Sequence, residues 1–264
     1  MKHIESRQNP YFQQLLRWRD HTADRSKDKV ALLEGIHVCS SWVDQGHSLV
    51  QWLINPEAMQ HHEIQKLVDR IPAEIITLSP ARMRELSEHP HPTGLMALAR
   101  RPEHRVLQST HAVIIDRIQD PGNLGTLLRT AAAAGVGLVF IEPGSTDPFS
   151  PRCLRAGMGA QAVLVIEENY DPEAWKPRQL VATSLSNSIS IYDADLQQPT
   201  AWIFGNEGQG IASEWLNRAD VRIHIPMHPG MESLNVAAAA AVCLFEQRRQ
   251  DMTSLKHSRS GTPL

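Results

Sequence analysis

Short apolar runs alternate with longer segments of mixed polarity along most of the chain, and this alternation predicts strands separated by helices. In the N-terminal part, the spacing of apolar residues indicates a first helix from Pro10 to about Arg19. The segments that follow predict strands at 30–33, 49–54 and 74–78 and a helix at 36–43. The polar stretch 21–29 is expected to form turns. This part of the chain therefore reads as a small α/β domain.

A charged, proline-containing stretch at 100–105 has no periodicity, and we place a domain boundary there. Beyond it, the apolar runs predict strands at 111–116, 136–141, 162–166, 179–183, 201–204 and 221–225, with helices at 124–134 and 233–249 among them. Short, continuously apolar strands alternating with helices indicate a parallel sheet covered on both faces. The predicted domains are thus 1–105 and 106–250, followed by a disordered polar tail at 251–264.

Composition limits the class of protein. The chain has 264 residues, of which 42% are hydrophobic, so it can bury a substantial core. No apolar run reaches the roughly 18 residues of a membrane span, and the N-terminus lacks the apolar stretch of a signal peptide, so we expect a cytoplasmic protein without a membrane partner. Cys39, Cys153 and Cys243 are widely spaced among apolar residues, which favours buried, reduced thiols.

The distribution of charge bears on nucleic-acid binding. The net charge of −3 argues against a basic coat over the whole molecule. Residues 1–29, however, contain seven Lys or Arg and four Asp or Glu, a local balance of +3. That segment is either a basic RNA-binding arm or a solvated amphipathic helix. None of the thirteen histidines has the spacing of partner ligands that a metal site needs, so no metal is expected.

A first candidate segment is Asn123-Leu-Gly-Thr-Leu-Leu-Arg129-Thr. Arg129 lies among small and apolar residues of a predicted helix, so its guanidinium points either to water or to an anionic partner such as phosphate. Asn123 has an alternative structural role as the N-cap of that helix.

Two later segments add polar groups. Ile203-Phe-Gly205-Asn-Glu207-Gly-Gln-Gly is a strand that runs into a glycine-rich turn, where backbone groups can approach a ligand. Its spacing matches neither a dinucleotide fingerprint nor a P-loop, and Glu207 could equally be a solvated carboxylate. The third segment comprises Ile225-Pro-Met and Ser233-Leu-Asn235, with Ser233 as the expected N-cap of the last helix.

Together and in this order, the three segments resemble the motifs of the SpoU/TrmH family of RNA ribose methyltransferases, within the SPOUT superfamily. The resemblance implies S-adenosylmethionine as the cofactor and a parallel sheet with a deep trefoil knot. It assigns Asn123, Arg129, Glu207, Ser233 and Asn235 to the catalytic site, and places the cofactor against Thr183, Gly205, Ile225 and Leu234. The segments Ile4–Pro10 and Leu32–His37 resemble the ribosomal-protein-like RNA-binding domain of many members.

The same resemblance implies methyl transfer to a ribose 2′-hydroxyl by a homodimer. The two-domain layout favours ribosomal RNA over transfer RNA as the substrate. Gln13 departs from the family, which often has a lysine there, and this puts one phosphate contact in doubt. Two alternatives stay open on the sequence alone: a base methyltransferase of the same superfamily, and a non-catalytic RNA-binding or ribosome-assembly protein with this fold. A small-molecule enzyme is disfavoured by the N-terminal domain.

Overall fold

The computed structural model describes residues 2–102, 110–171, 173–231 and 233–260, with side chains up to residue 253. Within these residues the chain forms two compact units. The first contains 2–102 together with 147–163, and the second contains 110–146 and 164–260. The sequence places 147–163 inside the second domain, whereas in the structure this segment packs with the first unit. The predicted boundary near residue 105 falls at 103–109, outside the described residues.

The first unit is built on a five-stranded mixed sheet in the order β1-β4-β3-β5-β2. β1 pairs with β4 and β3 with β4 in parallel, and β5 is antiparallel to both β2 and β3. Its elements are β1 (Lys2–Ile4), α1 (Pro10–Asp20), α2 (Thr22–Asp28), β2 (Val30–Glu34), α3 (Ile36–Asp44), β3 (Leu49–Ile54), a 3₁₀ helix (Pro56–Gln60), α4 (His62–Arg70), β4 (Glu74–Leu78), α5 (Pro80–Leu86), β5 (Leu95–Arg100), α7 (Pro151–Gly157) and α8 (Ala160–Val163).

The polar stretch after α1 forms the helix α2, and the expectation of turns there is wrong. The helix is held by Arg25, which is 2% exposed and forms an ion pair with Asp147 at 2.7 Å. Arg101 approaches the same carboxylate at 3.4 Å. The guanidinium of Arg25 also donates to the carbonyls of Trp18 and Arg19. A polar sequence is helical here because one long side chain satisfies buried groups from distant parts of the chain.

The second unit is built on a seven-stranded sheet in the order β10-β12-β9-β11-β6-β7-β8, and every described strand pair in it is parallel. This confirms the predicted parallel sheet of an α/β fold. Its elements are β6 (Ala112–Asp116), α6 (Pro121–Ala134), β7 (Leu138–Ile141), β8 (Val165–Glu167), β9 (Gln179–Thr183), β10 (Ile189–Ser190), a 3₁₀ helix (Ile191–Asp193), β11 (Thr200–Gly205), α9 (Ser213–Arg218), β12 (Val221–His224) and α10 (Val236–Ser260).

Several boundaries in this unit differ from the predictions. The apolar run at 162–166 is not one strand: it ends the short helix α8 and begins β8 only at Val165. Helix α6 starts at Pro121, with Asp120 as N-cap, and ends at Ala134, with Gly135 as C-cap; the φ of 91° at Gly135 suits a residue without a side chain. Helix α10 continues to Ser260, so most of the predicted tail is helical; residues 261–264 lie outside the described residues.

A buried polar network fixes α10 to the amino-terminal edge of the sheet. Gln247, 2% exposed, accepts from Trp202 Nε1 at 2.7 Å and donates to the carbonyl of Leu196 at 3.2 Å. His111 lies 3.0 Å from the same amide through Nδ1 and 3.1 Å from Asp251 through Nε2. The opposite end of α10 lies at the carboxyl edge. Among the described residues, the structure has no helix with the length and apolar character needed to cross a membrane.

Candidate active site

The carboxyl ends of three neighbouring strands, β12, β9 and β11, border a cavity of about 670 Å³. This edge is where open parallel α/β sheets bind ligands. The four residues assigned to the cofactor from the sequence, Thr183, Gly205, Ile225 and Leu234, all line the cavity. Ligand cavities for small molecules span about 300–1,000 Å³, so a cofactor of the size of S-adenosylmethionine fits here.

One wall of the cavity is the glycine loop, residues 205–211. Backbone hydrogen bonds between Asn206 and Gly210 in both directions close this loop into a tight turn. A Cβ atom on Gly205 would lie 2.5 Å from the backbone of Gly210 and Ile211, so no larger residue fits at that position. The glycine therefore allows the loop to fold back on the end of β11 and expose its backbone to the cavity.

Glu207 extends from this loop to the start of α6. Its carboxylate accepts from the backbone N–H of Gln119 and of Asp120, both at 3.3 Å, and from Asn123 Nδ2 at 3.0 Å. Partial burial acts to raise the pKa of Glu207, but these hydrogen bonds to the charged form outweigh it and lower the pKa. The carboxylate is therefore ionised at neutral pH, and its acceptor sites already hold the start of α6.

Asn123 joins the first motif to the third. While its Nδ2 donates to Glu207, its Oδ1 accepts from Asn235 Nδ2 at 2.9 Å. The three residues assigned from separate motifs thus form one hydrogen-bonded row. Asn123 is not the N-cap of α6, because Asp120 accepts the backbone N–H of Asn123 at 2.9 Å.

The start of α10 also differs from its prediction. Asn235 Oδ1 accepts from the backbone N–H of Ala237 at 2.9 Å and of Ala238 at 3.4 Å, so Asn235 caps the helix. Ser233 precedes the helix as an exposed residue and lines the cavity, and its prediction as the N-cap is wrong. Ser233 is thus a residue of the cavity lining and not of the helix end.

Arg129 stands apart from this row. It is exposed on α6, is not among the residues that line the cavity, and its side chain makes no hydrogen bond or ion pair with the described part of the chain. Of the two orientations considered from the sequence, the structure shows the outward one. Its guanidinium remains available for an anionic partner.

Asn206, Arg117, Asp116 and Ala212 also lie at this edge, and the sequence assigned no role to them. Asn206 Nδ2 donates to the carbonyl of Arg117 at 2.9 Å, and buried Asp116 accepts from the N–H of Ala212 at 2.7 Å. A polar residue at the end of a buried strand, such as Asp116, was the available signal. Among the described residues, no group of three or more His, Cys, Asp or Glu is placed to hold a metal.

Comparison with known proteins agrees with this geometry. The model of the SpoU rRNA Methylase family matches residues 110–245, which is more than half of the chain and spans all three motifs. The chain belongs to this family. An uncharacterized tRNA/rRNA methyltransferase of Synechocystis is 34% identical and the match covers 94% of this chain and 93% of the relative. The 23S rRNA (guanosine(2553)-2′-O)-methyltransferase RlmP of Bacillus subtilis is 30% identical, with 94% and 100% covered.

Solved structures of family members superpose over nearly the whole length. A crystal structure of an RNA 2′-O ribose methyltransferase matches with a TM-score of 0.80 at 30% identity, covering 95% of this chain and 99% of the other. The SpoU methyltransferase AviRb from Streptomyces viridochromogenes, in complex with AdoMet, matches with a TM-score of 0.85 at 25% identity, covering 93% and 99%. The SpoU/TrmH identification made from the motifs is confirmed, as is the SPOUT-type α/β fold class.

Proposed function

We propose that this protein transfers the methyl group of S-adenosylmethionine to a ribose 2′-hydroxyl of ribosomal RNA. The observation that carries the proposal is the row Glu207–Asn123–Asn235 beside the cavity at the carboxyl edge of the sheet. The names of two relatives support the acceptor: RlmP acts on a guanosine 2′-hydroxyl of 23S rRNA, and a Streptomyces viridochromogenes relative, 28% identical, on a uridine 2′-hydroxyl of 23S rRNA.

The cavity would hold the cofactor. Thr183, Gly205, Ile225 and Leu234 line it from four different segments of the chain. When bound there, S-adenosylmethionine supplies a methyl group activated by its sulfonium. A C–O bond to the ribose oxygen would then form as the C–S bond breaks, S-adenosylhomocysteine would leave, and the hydroxyl proton would pass to water. Because the methyl group is already activated, the protein's tasks are alignment and help with the hydroxyl proton.

Within this proposal, Arg129 orients the ribose hydroxyl and an adjacent phosphate and stabilises the developing alkoxide. A guanidinium remains protonated at all relevant pH values, so Arg129 does not act as the base. Its exposure and its lack of side-chain partners in the described chain suit a group that meets the RNA. Glu207 is a poor candidate for the base as well, because its oxygens accept three hydrogen bonds and its pKa is lowered. In this proposal Glu207, Ser233 and Asn235 fix the arrangement in which Arg129 meets the hydroxyl and the phosphate.

The proposal includes a homodimer formed through α6 and α10. These helices belong to the same unit, and α10 presents exposed or half-buried apolar side chains at positions 238, 242, 245 and 252, a spacing that places them on one helix face. Phe245 is 48% exposed on this face. Light scattering at micromolar concentration should give twice the chain mass, and Phe245→Arg should give the monomer mass; a monomeric wild type would contradict the dimer.

The roles of the first unit, the trefoil knot and the cytoplasmic location are part of the same proposal. The first unit would bind the substrate RNA, with the basic residues of the N-terminal arm contributing phosphate contacts. Some of them are engaged in the structure: Arg7 pairs with Glu85 and Arg17 with Asp24. Three free, buried cysteines suit a reducing compartment.

The test is incubation with methyl-labelled S-adenosylmethionine and hypomodified total RNA, followed by fractionation and nucleoside analysis. A labelled 2′-O-methyl nucleoside in large-subunit ribosomal RNA is the expected result. Label confined to transfer RNA would overturn the substrate, and label on a base would overturn ribose chemistry. Cofactor binding without transfer to naked RNA or to assembly intermediates would favour the non-catalytic alternative.

A further inference from the structure

The glycine loop is fastened at both of its ends to the carboxyl end of β6. At its start, Asn206 Nδ2 donates to the carbonyl of Arg117 at 2.9 Å. Just after its end, the N–H of Ala212 donates to Asp116 at 2.7 Å. Asp116 is 2% exposed and also pairs with the guanidinium of Arg117 at 2.7 Å. Two consecutive residues of one strand end therefore fix the cavity wall.

Asn206 uses every one of its polar groups in this arrangement. Its backbone pairs with Gly210 in both directions, and its Oδ1 accepts the N–H groups of Gly208 and Gln209, both at 2.9 Å. The side-chain oxygen therefore shapes the loop internally, while the side-chain nitrogen attaches the loop to Arg117. The two functions reside on two atoms and can be separated by substitution.

The backbone of Arg117 is held in an unusual conformation that serves this attachment. Its φ is 58°, in the left-handed region that non-glycine residues rarely adopt. The carbonyl of Arg117 accepts from Gln119 Nε2 at 3.2 Å as well as from Asn206. The next residues along the chain donate their N–H groups to Glu207. Adjacent residues of the glycine loop thus contact the same short segment, one as a donor and one as an acceptor.

We propose that Asn206 is a positioning residue for methyl transfer: its contact with Arg117 sets the place of Glu207, and through Glu207 that of Asn123, without touching the RNA. The inference rests on the proposed function and adds to it a residue with a defined role. Asn206 precedes Glu207 directly, so a shift of its side chain moves the carboxylate relative to the N-terminus of α6. Methyl transfer depends on alignment, and small displacements are costly there.

Asn206→Asp breaks the attachment while it keeps the acceptor for Gly208 and Gln209, because the carboxylate loses the donor to Arg117 and sets a charged oxygen against that carbonyl. Asn206→Ala removes both functions. Asn217→Asp is the matched control: it introduces the same charge at an exposed position of α9 whose side chain has no hydrogen-bond partner among the described residues. If Asn206→Asp fails to fold, Asn206→Ser replaces it. The serine hydroxyl retains an acceptor but is too short to reach the carbonyl of Arg117.

Three measurements are made: steady-state kinetics with RNA for kcat and KM, calorimetry for the Kd of S-adenosylmethionine, and amide hydrogen exchange. For Asn206→Asp we expect kcat to fall about ten-fold, because one hydrogen bond that aligns the site is lost. The Kd should stay within about three-fold of that of the control. For Asn206→Ala, kcat should fall, Kd should rise about ten-fold, and the amides of Gly208 and Gln209 should exchange faster. Those two amides should remain protected in Asn206→Asp.

A kcat for Asn206→Asp equal to that of Asn217→Asp would overturn the proposal. A second refuting result is that Asn206→Asp raises Kd as much as Asn206→Ala does and lowers kcat by the same factor. That pattern would mean that both variants loosen the loop as a whole. If the wild type transfers no methyl group to any RNA, the proposed function fails, and exchange at the amides of Gln119 and Asp120 decides the positioning role. Faster exchange there in Asn206→Asp supports the role, and unchanged exchange refutes it.

Discussion

The row Glu207–Asn123–Asn235 predicts that the donor at position 123 and the acceptor at position 207 can be exchanged. In Asn123→Asp, a carboxylate oxygen replaces the Nδ2 that now lies 3.0 Å from Glu207. Two unit charges at about 3 Å repel by roughly 1.4 kcal/mol at the dielectric constant of water, the appropriate limit because Glu207 is exposed. The lost hydrogen bond adds about 1 kcal/mol. The total, about 2.4 kcal/mol, corresponds to a roughly 50-fold slower transfer if it is felt in the transition state.

The double variant Asn123→Asp with Glu207→Gln should recover part of this loss. The introduced glutamine would keep its oxygen on the N–H of Gln119 and turn its amide to the new carboxylate at position 123, which still accepts from Asn235. The N–H of Asp120 would lose its acceptor, because it bonds to the same Glu207 oxygen as Asn123. Urea unfolding and single-turnover methyl transfer are measured for wild type, both single variants and the double variant. We expect the double variant to exceed Asn123→Asp in both stability and rate.

Two results would refute the reasoning. One is an Asn123→Asp variant as stable and active as the Asn217→Asp control, which would mean that the row is not formed in solution. The other is additivity, in which the losses of the two single variants simply sum in the double variant. Additivity would show that Asn123 and Glu207 do not interact.

Three further predictions concern separate parts of the molecule. Arg129→Ala should reduce single-turnover transfer at least about 100-fold with cofactor Kd unchanged, and Arg129→Lys should also be slow because it lacks the planar fork; normal transfer by either would remove Arg129 from the mechanism. Burial lowers the pKa of His111 against an opposing effect of Asp251. The neutral ring is therefore favoured by folding, and its stabilisation is complete above about pH 6.5 and lost as the pH falls below it. Urea unfolding between about pH 8 and 5 should show this loss, reduced in His111→Gln. Asp147→Ala should cost about 3–5 kcal/mol because it leaves Arg25 buried without its ion pair, and a thermal melt close to that of the wild type would contradict this.

The sequence by itself determined the alternation of strands and helices, the parallel character of the second sheet and the residues of the three motifs. Apolar runs of strand length reveal buried strands because burial on both faces requires continuous apolar sequence. Residue types alone left a structural alternative open at each motif, and the site residues were assigned by the resemblance of the three segments, in order, to a known family. These signals are local in the chain.

Tertiary structure decided what depends on contacts between distant residues. It made a helix of the polar segment 22–28, because Arg25 forms an ion pair with Asp147, more than a hundred positions away in the chain. It joined Asn123, Glu207 and Asn235 into one row and left Arg129 exposed on another face of α6. It also gave Asn206 a partner in Arg117, which no pattern in the sequence reveals. Hydrogen bonds between loops depend on where the strands end in space, and the spacing of residues along the chain does not record that.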